Sequence, residues 1–347
     1  MPKPTPFQAP EAFARDLAAW FASHGRDYPW RRTTDPYAIL VSEVMLQQTQ
    51  IPTVLGKGYY TRWMERFPTL ASLAGAPEAE VLRTWEGLGY YRRARFLQSM
   101  ARTVIAEHGG VFPVTPEAIL ALPGVGRYTA GAVASFAYDT QAPIVDGNVA
   151  RVLARLFNDV TPIDSTEGQA RLWERAEVLV KAASSARVHN SALMELGQTV
   201  CRTGSPACPA CPVRRYCRAE NPAALPVKGA RATVTEVTER VFFHGTDQGV
   251  LLQQETGARR TGLWKLPALP ESGKLPSVVH KSRYTITRYR VTLWVHGAPV
   301  LASIQSLITE GTVRLIPHDV LADLPMPSPY RRALNAVLAD QSFRLQA

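Results

Sequence analysis

Residues 122–130 read Leu-Pro-Gly-Val-Gly-Arg-Tyr-Thr-Ala, a short glycine turn between two segments whose apolar residues have helical spacing. Gly124 and Gly126 let the backbone approach a ligand closely, and the amides at the start of the second helix suit a phosphate group. The stretch therefore has the pattern of a helix–hairpin–helix, which binds the DNA backbone without reading its sequence. A plain turn between two helices, with glycine as the C-cap, is the alternative interpretation.

The regions around this turn differ in their hydrophobic pattern. Apolar residues recur three and four positions apart from about residue 11 to residue 204, which predicts helices. Residues 221–230 read as a linker, and β-branched and polar residues alternate beyond them, as in strands; a helical pattern returns at 328–338. We therefore expect a multi-domain chain: an all-α domain over residues 1–226, a linker over 227–235 and an α+β domain over 236–347.

The composition agrees with globular domains that bind a polyanion. The 347 residues carry a net charge of +10, and 32 of the 39 basic residues are arginine, which contacts phosphates and base edges bidentately. A soluble arginine-rich surface is the alternative reading of this charge. No run of about 18 apolar residues exists, so we expect no membrane-spanning helix. The first ten residues contain four prolines and no apolar signal segment, so we expect a cytoplasmic protein, associated with the nucleoid if bacterial.

All four cysteines lie within seventeen residues of one another. In a cytosolic protein such a group indicates metal ligation more than disulfides. Their spacing of six, two and five residues suits a [4Fe–4S] cluster, whereas zinc prefers two separated pairs. Zinc and a disulfide remain the alternatives. Four arginines in or beside this loop suit contact with a phosphate backbone. The cysteines are Cys201, Cys208, Cys211 and Cys217, and the arginines are Arg202, Arg214, Arg215 and Arg218.

Two carboxylates in the helical region have apolar neighbours. Glu43, Gln47 and Gln50 would share one face of a continuous helix, which suits a proton donor beside amides that contact a base. A solvated glutamine-rich face is the alternative. Asp146 follows the apolar residues 144–145, where a charge is costly unless it has a function. Asp146 or Asn148 could instead be the N-cap of the next helix.

Together these motifs resemble the helix–hairpin–helix base-excision glycosylases, and most closely the MutY-type adenine DNA glycosylases. The resemblance covers residues 11–220 nearly continuously. It rests on residues 27–31, 42–49, 87–91, 122–130 and 145–148 and on the four cysteines. It implies a base-excision repair enzyme with a [4Fe–4S] cluster that hydrolyses the N-glycosidic bond of adenine mispaired with 8-oxoguanine or guanine. The implied partner is double-stranded DNA containing mispaired adenine, bound by a monomer without a membrane.

The resemblance also implies roles for particular residues. Tyr128 occupies the position at which lyase relatives such as endonuclease III carry a lysine, so a monofunctional glycosylase is implied. Glu43 would protonate the leaving base and then activate water, and Asp146 would stabilise the oxocarbenium-like sugar, with Tyr128 and Asn148 in support. Other matching positions bind DNA or the extruded base. They are Arg26, Trp30, Arg31 and Leu46 at the adenine pocket, Gln48 and Tyr90 as wedges, and Gly124 and Gly126 in the hairpin. For Trp30, a core aromatic is the alternative.

The chain departs from this family at positions that bear on substrate selection. Ser191 stands where relatives carry a glutamine or glutamate that hydrogen-bonds adenine. Residues 262–267 resemble the family's Nudix-like domain, in which a Phe-Ser/Thr-His element reads 8-oxoguanine. The corresponding residues here are Ile286-Thr287-Arg288, which keep the hydroxyl and replace the histidine with an arginine that can still donate to a carbonyl.

The same motifs bear on three other functions, and the first of them is rejected. A Nudix pyrophosphatase needs a glutamate-rich helix that binds Mg²⁺, and the residues after 267 predict none. A mismatch glycosylase with another target base, such as thymine opposite guanine, keeps the same chemistry. A non-catalytic helix–hairpin–helix DNA-binding module is the remaining alternative, against which the presence of both Glu43 and Asp146 argues.

Overall fold

A computed structural model describes residues 7, 9–230, 233–257, 260–269, 275–299, 301–311 and 313–340. The chain divides into two compact units. One comprises residues 1–51, 69–74 and 99–230, and the other comprises residues 52–68, 75–98 and 231–347. We call them the helical unit and the sheet unit. The predicted boundary near residue 226 and the linker over 227–235 stay predictions.

The helices account for most of the chain up to residue 199. Among the described residues they are α1 (Pro10–His24), α2 (Pro36–Leu46), α3 (Ile51–Gly56), α4 (Tyr59–Arg66), α5 (Leu70–Gly75), α6 (Glu78–Thr84), α7 (Arg92–Glu107), α8 (Pro116–Leu120), α9 (Arg127–Tyr138), α10 (Gly147–Leu156), α11 (Thr166–Lys181), α12 (Ala186–Thr199), α13 (Leu301–Thr309) and α14 (Ser328–Ala339). None of the helices within these described ranges combines the length and apolar character needed to cross a membrane.

The helical unit contains several helices that pack against one another, including α2, α9, α10 and α12. The carboxylate of Asp35 caps α2 by accepting hydrogen bonds from the first-turn amides, and residues 37–45 are all buried, as expected for a helix that is apolar on every side. Helix α2 packs against α9, while α10 packs against α12. Gly131 in α9 permits a close approach, because a Cβ there would lie 2.2 Å from the carbonyl oxygen of Pro143.

The described residues of the sheet unit form two small sheets. Its strands are β1 (Thr235–Phe242), β2 (Val250–Gln254), β3 (Trp264–Lys265), β4 (Val278–Ile286), β5 (Tyr289–His296) and β6 (Val313–Ile316). One sheet has the order β1-β5-β4, with β1 parallel to β5, and the other has the order β3-β2-β6. Apolar residues of both sheets and of α14 form its core, among them Val241, Leu252, Leu293 and Leu334.

The coarse prediction of the fold is confirmed: a helical region precedes a smaller region of strands and helices. The predicted strands around 233–238, 284–287 and 290–295 fall mainly on β1, β4 and β5, and the predicted helix at 328–338 is α14. Residues 270–274, which bear on the expected lack of a Mg²⁺-binding helix, lie outside the described residues.

Candidate active site

The centre of the candidate site is a buried carboxylic acid. Glu43 lies on α2 and is 4% exposed. The hydroxyl of Tyr128, in the first turn of α9, donates a hydrogen bond of 2.6 Å to Glu43 Oε2. Because α2 and α9 pack together, these residues from distant parts of the sequence meet.

The surroundings of Glu43 shift its proton affinity into the neutral range. The pKa of Glu43 is raised to about 7, mainly by burial; the Tyr128 hydrogen bond and the Arg31 charge lower this pKa, and the charge of Asp146 raises it. Burial also raises the pKa of Tyr128 well above its ordinary value, so its hydroxyl stays protonated and can donate. Glu43 is therefore poised to hold or release a proton near pH 7.

Asp146 is the N-cap of α10, as one of the sequence interpretations proposed. Its Oδ1 accepts hydrogen bonds from the backbone amides of Asn148 (3.0 Å) and Val149 (2.7 Å), and its Oδ2 accepts one from Asn148 Nδ2 at 2.8 Å. These donors fix the carboxylate's position. The charge of Asp146 acts on both Glu43 and Tyr128, so the four predicted catalytic residues lie together in the helical unit. Capping and a role in catalysis are compatible, because each oxygen can accept more than one contact.

Arg151 connects this site to the cysteine loop. Its Nη2 donates to Asn148 Oδ1 at 2.9 Å and to the carbonyl oxygen of Gly197 at 2.7 Å, and its Nε donates to the carbonyl oxygen of Cys201 at 2.8 Å. Gly197 allows α10 and α12 to approach, since a Cβ there would lie 2.8 Å from the Cβ of Asn148.

A buried carboxylate that the sequence analysis did not identify holds the predicted pocket arginines. Glu195 on α12 is fully buried and accepts hydrogen bonds from Arg26 Nε at 2.5 Å and Arg31 Nη1 at 2.8 Å. The Arg31 guanidinium also lies over the Tyr28 ring, 4.8 Å from its centre. Trp30 is buried and stacks on Tyr28, as the core-aromatic interpretation of this residue expects. A carboxylate in an otherwise apolar part of α12 is the sequence signal that could have drawn attention to Glu195.

The predicted face of Glu43, Gln47 and Gln50 is wrong. Helix α2 ends at Leu46, Gln47 is its C-cap, and Gln50 lies outside the helix. The backbone leaves the right-handed helical region at once, because Gln47 has a ψ of 112° and Gln48 a φ of 60°.

The predicted wedge residues both have left-handed backbone conformations. Gln48 is exposed with a φ of 60°, in the turn after α2, and Tyr90 has a φ of 46° with 41% of its surface exposed. Such values are uncommon outside glycine and are found where a turn must present a side chain. Leu46 is half-buried at the end of α2, and Ser191 is buried on α12. The sheet unit contains Tyr90.

The glycine turn that contains Gly124 and Gly126 joins α8 to α9. Gly124 has a φ of 75°, a conformation that favours glycine, and Gly126 is the N-cap of α9. The two helices pack together. The turn therefore links two packed helices through a glycine hairpin, and the second helix, α9, begins at Arg127.

The four cysteines form no disulfide and share one loop after α12. Burial raises the pKa of Cys211, and the other three thiols raise it further, which indicates that all four lie near each other. Arg155 Nη1 donates to Cys201 Sγ at 3.2 Å. Within the residues that the structure describes, no three His, Cys, Asp or Glu side chains are grouped to hold one metal ion.

In the sheet unit, Thr287 and Arg288 form the two-residue turn between β4 and β5, closed by the pair Ile286 and Tyr289. Both turn residues are exposed, and Thr287 has a φ of 51°. The Arg288 guanidinium lies over the Tyr289 ring, 5.3 Å from its centre. The turn therefore presents a hydroxyl and a guanidinium to solvent.

Known proteins resemble the chain in both sequence and structure. Residues 41–177 match the HhH-GPD superfamily of base excision DNA repair proteins. An adenine DNA glycosylase of Mycolicibacterium smegmatis is 35% identical over 301 residues, which cover 86% of this chain and 91% of that protein. An adenine DNA glycosylase of Rattus norvegicus is 48% identical over 217 residues, 60% of this chain. That match spans 42% of the rat protein's length, so the chain matches less than half of this longer relative. A solved thermostable thymine-DNA glycosylase is 32% identical with a TM-score of 0.55, covering 61% of this chain and 96% of that one.

Proposed function

Since the chain belongs to the adenine DNA glycosylase family, we propose that it hydrolyses the N-glycosidic bond of adenine mispaired with 8-oxoguanine or guanine in double-stranded DNA. The observation that carries the proposal is the pairing of Glu43, whose pKa burial raises to about 7, with the half-buried carboxylate of Asp146. One group can donate a proton at neutral pH while the other supplies negative charge, as two carboxylates do in glycoside hydrolysis.

The proposed chemistry divides between these two groups. Glu43 protonates the leaving adenine, which weakens the glycosidic bond, and its carboxylate then accepts a proton from the attacking water. Asp146 stabilises the positive charge that develops on the sugar, while Asn148 Nδ2 keeps its carboxylate in place. Tyr128 has no amine, so no Schiff base forms at its position and the enzyme is monofunctional.

The remaining site residues would bind the extruded base and the duplex. Arg26, Trp30, Arg31, Leu46 and Ser191 line the adenine pocket or hold it together. Gln48 and Tyr90 fill the gap left in the duplex, which their positive φ values support by presenting the side chains at turns. Gly124 and Gly126 let the backbone at the start of α9 approach a phosphate.

The cysteine loop fits a [4Fe–4S] cluster held by Cys201, Cys208, Cys211 and Cys217. Four thiols on one loop, three of which raise the pKa of Cys211, with an arginine donating to the Cys201 sulfur, are a suitable donor set. When bound, the cluster would cross-link the loop, so that its arginines present a fixed basic surface to the DNA backbone. Zinc is the competing occupant, and an absorbance band near about 400 nm distinguishes the two, since zinc is colourless.

The C-terminal part, residues 236–347, would act as a Nudix-like reader of the base opposite adenine. The exposed Thr287 and Arg288 at the β4–β5 turn supply a hydroxyl and a guanidinium for the 8-oxoguanine edge. The protein would work as a monomer in the cytoplasm, at the nucleoid in a bacterium.

The test is base release from defined duplexes. The protein is incubated with duplexes containing A·8-oxoG, A·G or T·G, and abasic sites are scored after alkali. We expect product from the two adenine mispairs, and we expect Glu43→Gln to bind DNA without releasing adenine. Product from T·G alone would favour the activity named for the similar thymine-DNA glycosylase, and no product from any duplex would refute the enzyme proposal.

A further inference from the structure

The sheet of β1, β5 and β4 packs one face into a core, and the middle of its other face is open to solvent. Val241, Leu293 and Val295 pack into the core of the sheet unit. Because successive side chains of a strand point to opposite faces, the alternate residues point outward. On this outward face Thr238, Arg240, Lys281 and Arg283 are exposed, and Thr292 and Trp294 of β5 are half-buried, whereas Phe242 and His296 at one end of the face are buried.

The strand register brings basic side chains of different strands together on the outward face. Arg240 pairs with Trp294, and Trp294 pairs with Lys281, so these three form a row across the sheet. The adjacent row contains Arg283, Thr292 and Thr238. The Lys281 ammonium lies 4.0 Å from the centre of the Trp294 ring, which holds that cation against the sheet.

These cations are poorly balanced by acidic groups. Arg290, in the third row, pairs with Glu236 at 2.7 Å. Across the part of the chain that the structure describes, no ion pair involves Arg240, Lys281 or Arg283. Lys281 and Arg283 are two residues apart on one face of β4, and Arg240 lies across β5 in the row of Lys281, so a bound polyanion would lower the electrostatic energy of this face.

We propose that this basic sheet face, defined by Arg240, Lys281, Arg283 and Trp294, binds the phosphodiester backbone of duplex DNA as a contact separate from the catalytic site. The inference rests on the proposed function, which makes duplex DNA the substrate. Backbone contacts position a protein without reading sequence, and the exposed Thr238 hydroxyl, next to Arg240 on the same face of β1, adds a donor for phosphate oxygens. A solvated face that serves solubility is the competing explanation.

The test compares two double variants that remove the same charge. Lys281→Thr with Arg283→Thr removes two cations from the basic sheet face, and threonine suits a strand. The control, Arg314→Thr with Arg332→Gln, removes two exposed cations from β6 and α14 of the same unit. Circular dichroism checks the fold, and replacing Lys281 and Arg283 by glutamine provides a second pair if the threonine pair unfolds.

Binding of a mismatch-free duplex is measured as a function of salt concentration. The log–log slope should fall by about 2 for the face variant, near 0.9 per lost phosphate contact, so its loss of affinity relative to the unmodified protein should be roughly tenfold greater at about 0.05 M salt than at about 0.2 M. The control should keep the wild-type slope. An unchanged slope in the face variant, or an effect confined to mismatched duplexes, would overturn the inference. Adenine release at saturating DNA is scored separately, so a protein that binds but does not excise contradicts the proposed function alone.

Discussion

Removing the hydrogen bond from Tyr128 to Glu43 should change the pH dependence of adenine release in a defined direction. This bond is 2.6 Å long, and it lowers the pKa of Glu43, which burial raises to about 7. Tyr128→Phe keeps the ring and removes the donor. We therefore expect the pKa of Glu43 to rise further, because its ionised form loses a partner while its burial is retained.

The size of the shift follows from the strength of such a bond. A hydrogen bond to a charged group contributes roughly 1.5–3 kcal/mol, part of which the protonated acid also receives. A remaining difference of about 1.4 kcal/mol corresponds to one pKa unit. In the proposed mechanism Glu43 acts as an acid, so activity is expected below its pKa and should be lost as pH rises through that pKa. The alkaline limb of the rate should move from near pH 7 to about pH 8.

The assay is the single-turnover rate of adenine release from about pH 5 to pH 9. Tyr138→Phe is the matched control, because Tyr138 lies on the same helix and donates to the carbonyl oxygen of Phe112 instead. The control should keep the wild-type limb. An alkaline limb for Tyr128→Phe at or below the wild-type pH would refute the assignment of this hydrogen bond.

Three further predictions concern buried groups. Glu195→Gln should move the alkaline limb of the same profile to lower pH, because the Arg31 charge beside Glu43 loses its neutralising partner; an upward shift would contradict this. Burial lowers the pKa of His189 from 6.5 to about 4, so its protonation favours the unfolded chain. The free energy of unfolding, measured by urea titration, should therefore fall by up to about 3 kcal/mol between pH 6.5 and 4. The variant His189→Leu should lose this pH dependence. Gly131→Ala should lower the midpoint of urea unfolding, whereas Gly56→Ala, where a Cβ meets nothing within 4 Å, should not.

Local features of the sequence predicted the elements that local interactions determine. Asp146 could be identified as an N-cap candidate because a short acceptor precedes an amphipathic helix, and α10 begins at the next residue. The strands β4 and β5 follow from alternating β-branched residues. The end of α2 at Leu46 could not be predicted in this way, because it depends on a left-handed Gln48, which its residue type does not favour.

Contacts between distant residues could not be read from the sequence. Glu195 accepts from Arg26 and Arg31, which precede it by 169 and 164 residues, and no periodicity encodes that distance. The positive φ values of Gln48 and Tyr90 were equally hidden, because neither residue type favours the left-handed region. The raised pKa of Glu43 depends on packing around it, so the sequence indicated the residue and the fold explains its chemistry.

We propose that Glu43 is the acid that releases adenine. The most direct measurement compares adenine release from an A·8-oxoG duplex by the protein and by Glu43→Gln, with binding of the same duplex measured in parallel. We expect abasic sites with the unmodified protein, and none with the variant, at similar affinity for DNA. Full adenine release by Glu43→Gln would contradict it.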